Sequence, residues 1–470
     1  MLIRNAELNG RRFDVRCTGG VIEEIAEQIP PQPGEEEIDA RGGALIPGLH
    51  DHHIHVLSLA AHFASIRCGP PEVETRDELV KSLRATRAVD GWLRGTGYFE
   101  SVAGPLDRIR MDALCDRHPL RIQHRSGAMW FLNTKAIEAL GLDAGGAPNG
   151  VEKDASGRST GRLFRADTWL RDRLPTRSKL DLSEVGSFLA RCGVTRLTDA
   201  TPANGTHEAA LFRAAQQSGA LPQSVRLMGN LSLSASDANE RLEIAEYKIM
   251  LDEPALPEFD ELAGRIREAH AVGRGVAIHT VTRTEIHFAL AALEAAGARL
   301  GDRLEHASVA PDETLGLAAR LGISIVTQPN FVAERGDAYR REVEARDLPF
   351  LYRIRSWLDA RIPLAAGTDA PFGHPDPWRA MHAAVTRATP SGAVLGKSER
   401  VSPETAIRLF FDAFSMDASH DSLGALFAPG QPADLCILDV AWRDARRSLS
   451  SDRVAATICN GKVIWRASAS

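Results

Sequence analysis

The sequence predicts an α/β fold: a (β/α)8 TIM-type barrel with a small β-sandwich domain built from both chain termini and an inserted subdomain after the first barrel strand. Three observations predict it. Eight candidate core strands end at His55, Asp199, Asn230, Leu251, Thr280, His306, Gln328 and Asp369, and helical patterns separate several of them, as a parallel barrel requires. Polar residues recur at the carboxyl ends of these strands, which favours the barrel over the competing open doubly wound sheet. The two ends of the chain share a different texture of short strands and tight turns.

Taken in order, residues 1–46 read as strands Leu2 to Leu8, Phe13 to Cys17, Val21 to Ala26 after a Gly19-Gly20 turn, and Glu37 to Ala40. The far end matches, with strand-like Ala433 to Val440 and Ala455 to Trp465, the latter broken by an Asn460-Gly461 hairpin signal. Two β segments too small to fold alone are expected to pair into one sandwich of residues 1–46 plus 425–470. The barrel is expected over 47–424, with helices at Phe259 to Val272, Thr284 to Ala296 and Glu313 to Leu321. From His55 to Gly193 the chain is too long for one strand-to-helix connection. Residues 60–180 are therefore expected to form an inserted, lid-like α+β subdomain, with strand-like Trp92 to Tyr98 and Arg121 to Arg125 and a helix at Thr134 to Leu140.

Composition excludes several classes. Hydrophobic residues at 44% and charged residues at 25% leave no case for disorder, and no apolar run approaches the about 18 residues that span a membrane. A net charge of -6 argues against nucleic-acid binding. The opening Met1-Leu2-Ile3-Arg4-Asn5 turns polar at once, unlike a secretory signal, and the six cysteines show no CxxC spacing. The expectation is a cytoplasmic protein with reduced thiols, acting on a small molecule; a homo-oligomer is left open.

The chemistry begins at Pro47-Gly48-Leu49-His50-Asp51-His52-His53-Ile54-His55. On an extended strand Asp51, His53 and His55 point one way, and His50 and His52 the other. Two imidazoles on one face can share a metal ion. Fifteen His in 470 residues give about 0.5 such pairs by chance, so the pair gains meaning from its company. Lys248, His279, His306 and Asp369 each sit at or near the end of a later strand. Singly, a strand histidine is more often structural and a lysine among apolar residues more often reaches for water. Jointly, six ligand candidates around one barrel end describe a metal site.

With these residues in view the chain resembles the amidohydrolase superfamily, and within it the third amidohydrolase family of long-insert hydrolases that includes formamide deformylase-like enzymes. The resemblance rests on the Pro-Gly-x-x-Asp-x-His-x-His run, Lys248, His279, Glu305-His306 and Gly367-Thr368-Asp369-Ala370-Pro371. Asn133-Thr134-Lys135-Ala136, Asp376-Pro377, Ala384-Val385-Thr386-Arg387 and Pro432-Ala433-Asp434-Leu435 extend it over nearly the whole chain. It implies that His53 and His55 bind one divalent metal and His279 and His306 a second. Lys248 would bridge both as a carbamate formed with carbon dioxide, and Asp369 would touch the first metal and the attacking water. The ions implied are two Zn, with Fe, Mn or Co also suited to imidazole and carboxylate. The implied reaction is cleavage of an amide or N-acyl/N-formyl amine by a metal-activated hydroxide, with Asp369 shuttling the proton. The alternatives are a one-metal deaminase or cyclic-amide hydrolase on the same barrel and, less favoured, a non-catalytic metal-binding scaffold. Ser126-Gly127-Ala128 and Asp252-Glu253-Pro254 depart from the family's Asp-Gly-His and Asp-Gly-Ser, near the substrate pocket the resemblance implies.

Other residues are weighed lower. His50 and His52 read as packing residues, and Asp51 as one that orients a ligand histidine. Trp130, Tyr98 and Arg125 could line a lid or fill a core. Arg283 could hold a substrate carboxylate or be a solvated helix charge.

Overall fold

Eight short strands, parallel and in sequence order, form the central sheet of the computed structural model: β1 (Leu49–Ile54), β2 (Val194–Asp199), β3 (Ser224–Gly229), β4 (Leu242–Ile249), β5 (Val276–Thr280), β6 (Arg303–His306), β7 (Ser324–Thr327) and β8 (Leu364–Ala366). The structure describes all residues except 71, 145–146, 175–179, 413, 415–426 and 469–470. β8 returns to β1, where Asp369 N donates to His53 O at 2.7 Å and His55 N to Ala370 O at 2.9 Å, so the sheet is a nearly closed barrel. Every residue of β1 is buried, as expected of a parallel strand covered on both faces.

Helices alternate with the strands because their apolar residues repeat at helical spacing. Phe259–Ala271 buries Leu262, Ala263, Ile266 and Ala269 along one face. Arg283–Ala296 starts at Thr282, whose side chain caps Glu285 N while Glu285 returns to the Thr282 backbone, a reciprocal cap that fixes the helix entry. Asp312–Leu321 ends at Gly322, φ 65°, a left-handed stop that glycine adopts without strain. No helix among the described residues is long and apolar enough to cross a membrane.

The terminal strands make two four-stranded sheets. Leu2–Leu8, Arg11–Thr18, Val21–Ala26 and Glu37–Asp39 form one; Leu45–Pro47, Leu435–Leu438, Val454–Cys459 and Lys462–Arg466 form the other. Ile3, Val15, Ile22, Leu435, Ile437 and Ile458 share one apolar cluster. Leu45–Pro47 pairs antiparallel with Leu435–Leu438, whereas Leu49–Ile54 pairs parallel with β2. The apolar run leading to His55 is thus two strands, parted at Gly48. A Cβ there would lie 2.2 Å from Thr195 Oγ1, so only glycine lets the chain pass from one sheet to the other. The expected boundary at 424/425 lies outside the described residues.

Leu57–Asp181 is a unit of its own. Its six-stranded sheet joins three parallel strands (Ile66–Arg67, Leu93–Tyr98, Leu120–His124) to three antiparallel ones (Met129–Leu132, Ser159–Phe164, Val151–Lys153). Asn133 caps the helix Thr134–Ala139: its Oδ1 accepts from Ala136 N and Leu120 N at 2.9 Å, and its Nδ2 donates to two carbonyls. Tyr98 is buried with its hydroxyl donating to Gly104 O. Trp130 Nε1 donates to Asp167, and Arg125 lies over the Phe99 ring; these side chains build this unit's interior and surface.

Candidate metal centre

The first strand sets the geometry. Asp51 is fully buried and accepts from His53 N, Thr368 N and Thr368 Oγ1, so it ties β1 to the residues after β8. Burial pushes its carboxyl up to about 7, against the pull of these donors. Gly367 allows the approach, since a Cβ there would lie 2.4 Å from His53 N. Two residues later Asp369 takes φ 55°, and His306 on the far side of the barrel takes φ 67°. Left-handed backbone at two non-glycine residues costs roughly 1–3 kcal/mol each and clusters at functional sites.

The ligand atoms of His53, His306 and Asp369 all lie within 4.8 Å of one another. His55 joins them, its Nε2 3.1 Å from Asp369 Oδ1, with His53 Nε2 at 3.5 Å from the same oxygen. The His279 ring stands edge-on to His306 with centroids 4.5 Å apart. Lys248 is buried on β4, and its Nζ has no hydrogen-bond partner among the described residues. Burial lowers its pKa to about 8, opposed by Glu305 and Asp369. Burial, with the neighbouring Lys248 for His53 and His279 for His306, holds both imidazoles well below the usual range. They stand neutral near pH 7, lone pairs open to a cation.

The outer nitrogens of three histidines are held. His53 Nδ1 contacts Glu305 Oε2, His55 Nδ1 lies 2.8 Å from Thr201 Oγ1, and His306 Nδ1 lies 2.7 Å from Gln328 Oε1. Each contact turns the ring so that Nε2 is the atom left for the centre. Sequence reasoning missed Glu305, Thr201 and Gln328 in this role. The available signal was position, since Gln328 follows β7 as Glu305 precedes His306.

His50 and His52 stack on each other, centroids 3.7 Å apart. His50 contacts Thr198 Oγ1 and Asp412, and His52 contacts Phe411 O; neither belongs to the tight group. Arg283 donates to Asp347 Oδ1 at 2.6 Å and Glu313 at 3.2 Å, which accounts for it within the fold.

The family model described as "Amidohydrolase family" matches residues 36–465. The chain belongs to the amidohydrolase family. It is an enzyme, and the family's work is hydrolysis of non-peptide carbon–nitrogen bonds in small molecules. The amidohydrolase is 27% identical to an N-substituted formamide deformylase of Arthrobacter pascens, over 87% of this chain and 85% of that protein. In structure it is similar to an uncharacterised metal-dependent hydrolase of Pyrococcus furiosus (TM-score 0.71, 20% identity, 93% and 98% of the two chains). It is also similar to an atrazine chlorohydrolase of Arthrobacter aurescens TC1 solved with zinc (TM-score 0.53, 15% identity, 98% and 94%). At these identities the structural likenesses speak for the fold.

Proposed function

We propose that this amidohydrolase is a metal-dependent hydrolase of an amide, N-acyl amine or N-formyl amine, acting in the cytoplasm. His53, His55, Lys248, His279, His306 and Asp369 serve as metal ligands, and Asp369 also carries the proton. The single observation behind this reading is the convergence of outward-anchored imidazoles on an Asp369 Oδ1 that makes no hydrogen bond among the described residues. A buried acceptor without a donor is costly, and a divalent cation satisfies it. The donor set suits zinc first, with iron, manganese or cobalt compatible.

His53 and His55 would hold one ion and His279 and His306 a second, with Lys248 carboxylated by carbon dioxide between them. The buried Lys248 amine supports this, because a pKa of about 8 leaves part of it neutral near pH 7, the form that attacks carbon dioxide. A bound cation supplies Lewis acidity toward a carbonyl and lowers the pKa of water to about 7. Asp369 accepts the proton from the attacking water and returns it to the leaving nitrogen, base first and acid afterwards. The formamide deformylase among the relatives supports N-formyl amines as the first compounds to try.

The test is a panel of N-formyl and N-acyl amines incubated with metal-loaded protein and scored for free amine. Release that a chelator abolishes and added metal restores is the expected result. A metal-loaded protein inert across the panel overturns the reading. A second reading, a one-metal deaminase or cyclic-amide hydrolase, is favoured by the tightness of the His53, His306 and Asp369 group alone. One metal per chain together with an unmodified Lys248 mass would select it.

A further inference from the structure

Glu305 has no role in the reading above, yet it is fully buried and touches a proposed ligand. Its Oε2 takes His53 Nδ1, and its Oε1 takes Arg303 Nε. Arg303 is itself 1% exposed; its Nη2 donates to His52 O at 3.1 Å and reaches Met228 Sδ at 3.8 Å, while Nη1 has no hydrogen-bond partner among the described residues. An ion pair this deep costs more than it returns unless its geometry serves something else. The other two anchored histidines manage without charge, His306 on the Gln328 carboxamide and His55 on the Thr201 hydroxyl.

We propose that Arg303 and Glu305 are positioning residues forming a buried relay, Arg303 to Glu305 to His53, that makes the His53/His55 position bind its metal more tightly than the His279/His306 position. The proposal rests on the metal-site reading above. A carboxylate behind an imidazole fixes the Nδ1–H tautomer and raises the donor strength of Nε2 more than a carboxamide or hydroxyl does. Arg303 Nε bonds Glu305 Oε1 and offsets its charge, so the gain comes through the hydrogen bond to His53 rather than through added negative charge at the site. What the relay adds is the acceptor behind His53, a carboxylate where His306 has a carboxamide.

The test is metal affinity, read by equilibrium competition with a chromophoric chelator and by metal equivalents retained after dialysis, with zinc and the full chain. Wild type is expected to release its two equivalents in separate steps. Glu305→Gln keeps an acceptor for Nδ1–H and should weaken the tighter step roughly 10–100-fold, merging it with the weaker one. Because Glu305→Gln leaves Arg303 unpaired, the double variant Arg303→Met with Glu305→Gln removes both charges and should show the same weakening with its melting temperature restored. Gln328→Glu is the reciprocal change and should tighten the weaker step. Unchanged tight-step affinity in the folded double variant overturns the relay and leaves the metal-site reading standing. A wild type that binds no zinc overturns both.

Discussion

At the scale of single residues, Asp369 is held where a carboxylate is chemically useful and conformationally costly. Its backbone is left-handed, its Oδ1 lies 3.1 Å from His55 Nε2, and that oxygen makes no hydrogen bond among the described residues. Asn tolerates left-handed backbone better than most residues, so Asp369→Asn removes the proton acceptor with little change to the fold. We expect Asp369→Asn to keep its melting temperature and its histidine-bound metal while losing roughly 10²–10⁴-fold in turnover, the usual weight of a general base. Steady-state rates beside metal analysis check this; a variant turning over at the wild-type rate would remove Asp369 from the proton path. Residue-level legibility was uneven for a physical reason. Strand alternation places His53 inward, and the structure has it so. At β6 alternation would put Glu305 and His306 on opposite faces, yet both reach His53: Glu305 by hydrogen bond, His306 by ring contact at 4.7 Å. The left-handed turn at His306 swings the second side chain back, and a single sequence carries no sign of that turn.

At the scale of elements, the sheet of Leu2–Leu8, Arg11–Thr18, Val21–Ala26 and Glu37–Asp39 is braced by a buried pair as well as by strand pairing. Arg16, on Arg11–Thr18, donates to both oxygens of Glu35, at 3.0 and 3.1 Å, and to Pro30 O at 2.6 Å. This hydrogen bond to Arg16 is the chief cause holding the Glu35 carboxyl down at about 2 from an ordinary 4.5, with burial opposing it. A carboxyl lowered in the folded state stabilises at pH above its unfolded value and loses that contribution as pH falls through the folded value. The stability difference between wild type and Glu35→Gln should therefore be full above about pH 4.5 and shrink between 4.5 and 2. Thermal melts of both proteins across that window decide it, and a difference independent of pH would show that Glu35 acts through packing. The strands involved were legible as alternating apolar runs, and the Asn460-Gly461 hairpin appears with both residues left-handed, φ 50° and 70°. The pair itself joins residues 19 apart, a separation that periodicity does not report.

For the barrel as a whole, the eight strand ends were readable because parallel strands buried on both faces leave apolar runs that stop at polar residues. Less readable was how the ring closes, since closure depends on contacts between residues more than 300 positions apart. β1 and β8 meet through few bonds: Asp369 N to His53 O, His55 N to Ala370 O, and Thr368 N and Oγ1 to the Asp51 carboxylate at 3.0 and 2.6 Å. Those same segments carry His53, His55 and Asp369. A cation held by the three would span the seam that their backbones already bridge, and site and closure would then be one structure. Ligand binding to the native state alone stabilises it by RT ln(1 + [L]/Kd), about 2.7 kcal/mol at a hundredfold excess over Kd. Chelated protein should accordingly melt at lower temperature. Its loss of protection should also be local: the amides of His55 and Asp369, which donate across the seam, should exchange with deuterium faster after chelation, while the amides joining β5 to β6 stay protected. Uniform loosening of every strand would mean that the metal stabilises the barrel without spanning its seam, and unchanged exchange at His55 and Asp369 would place the cation away from that closure.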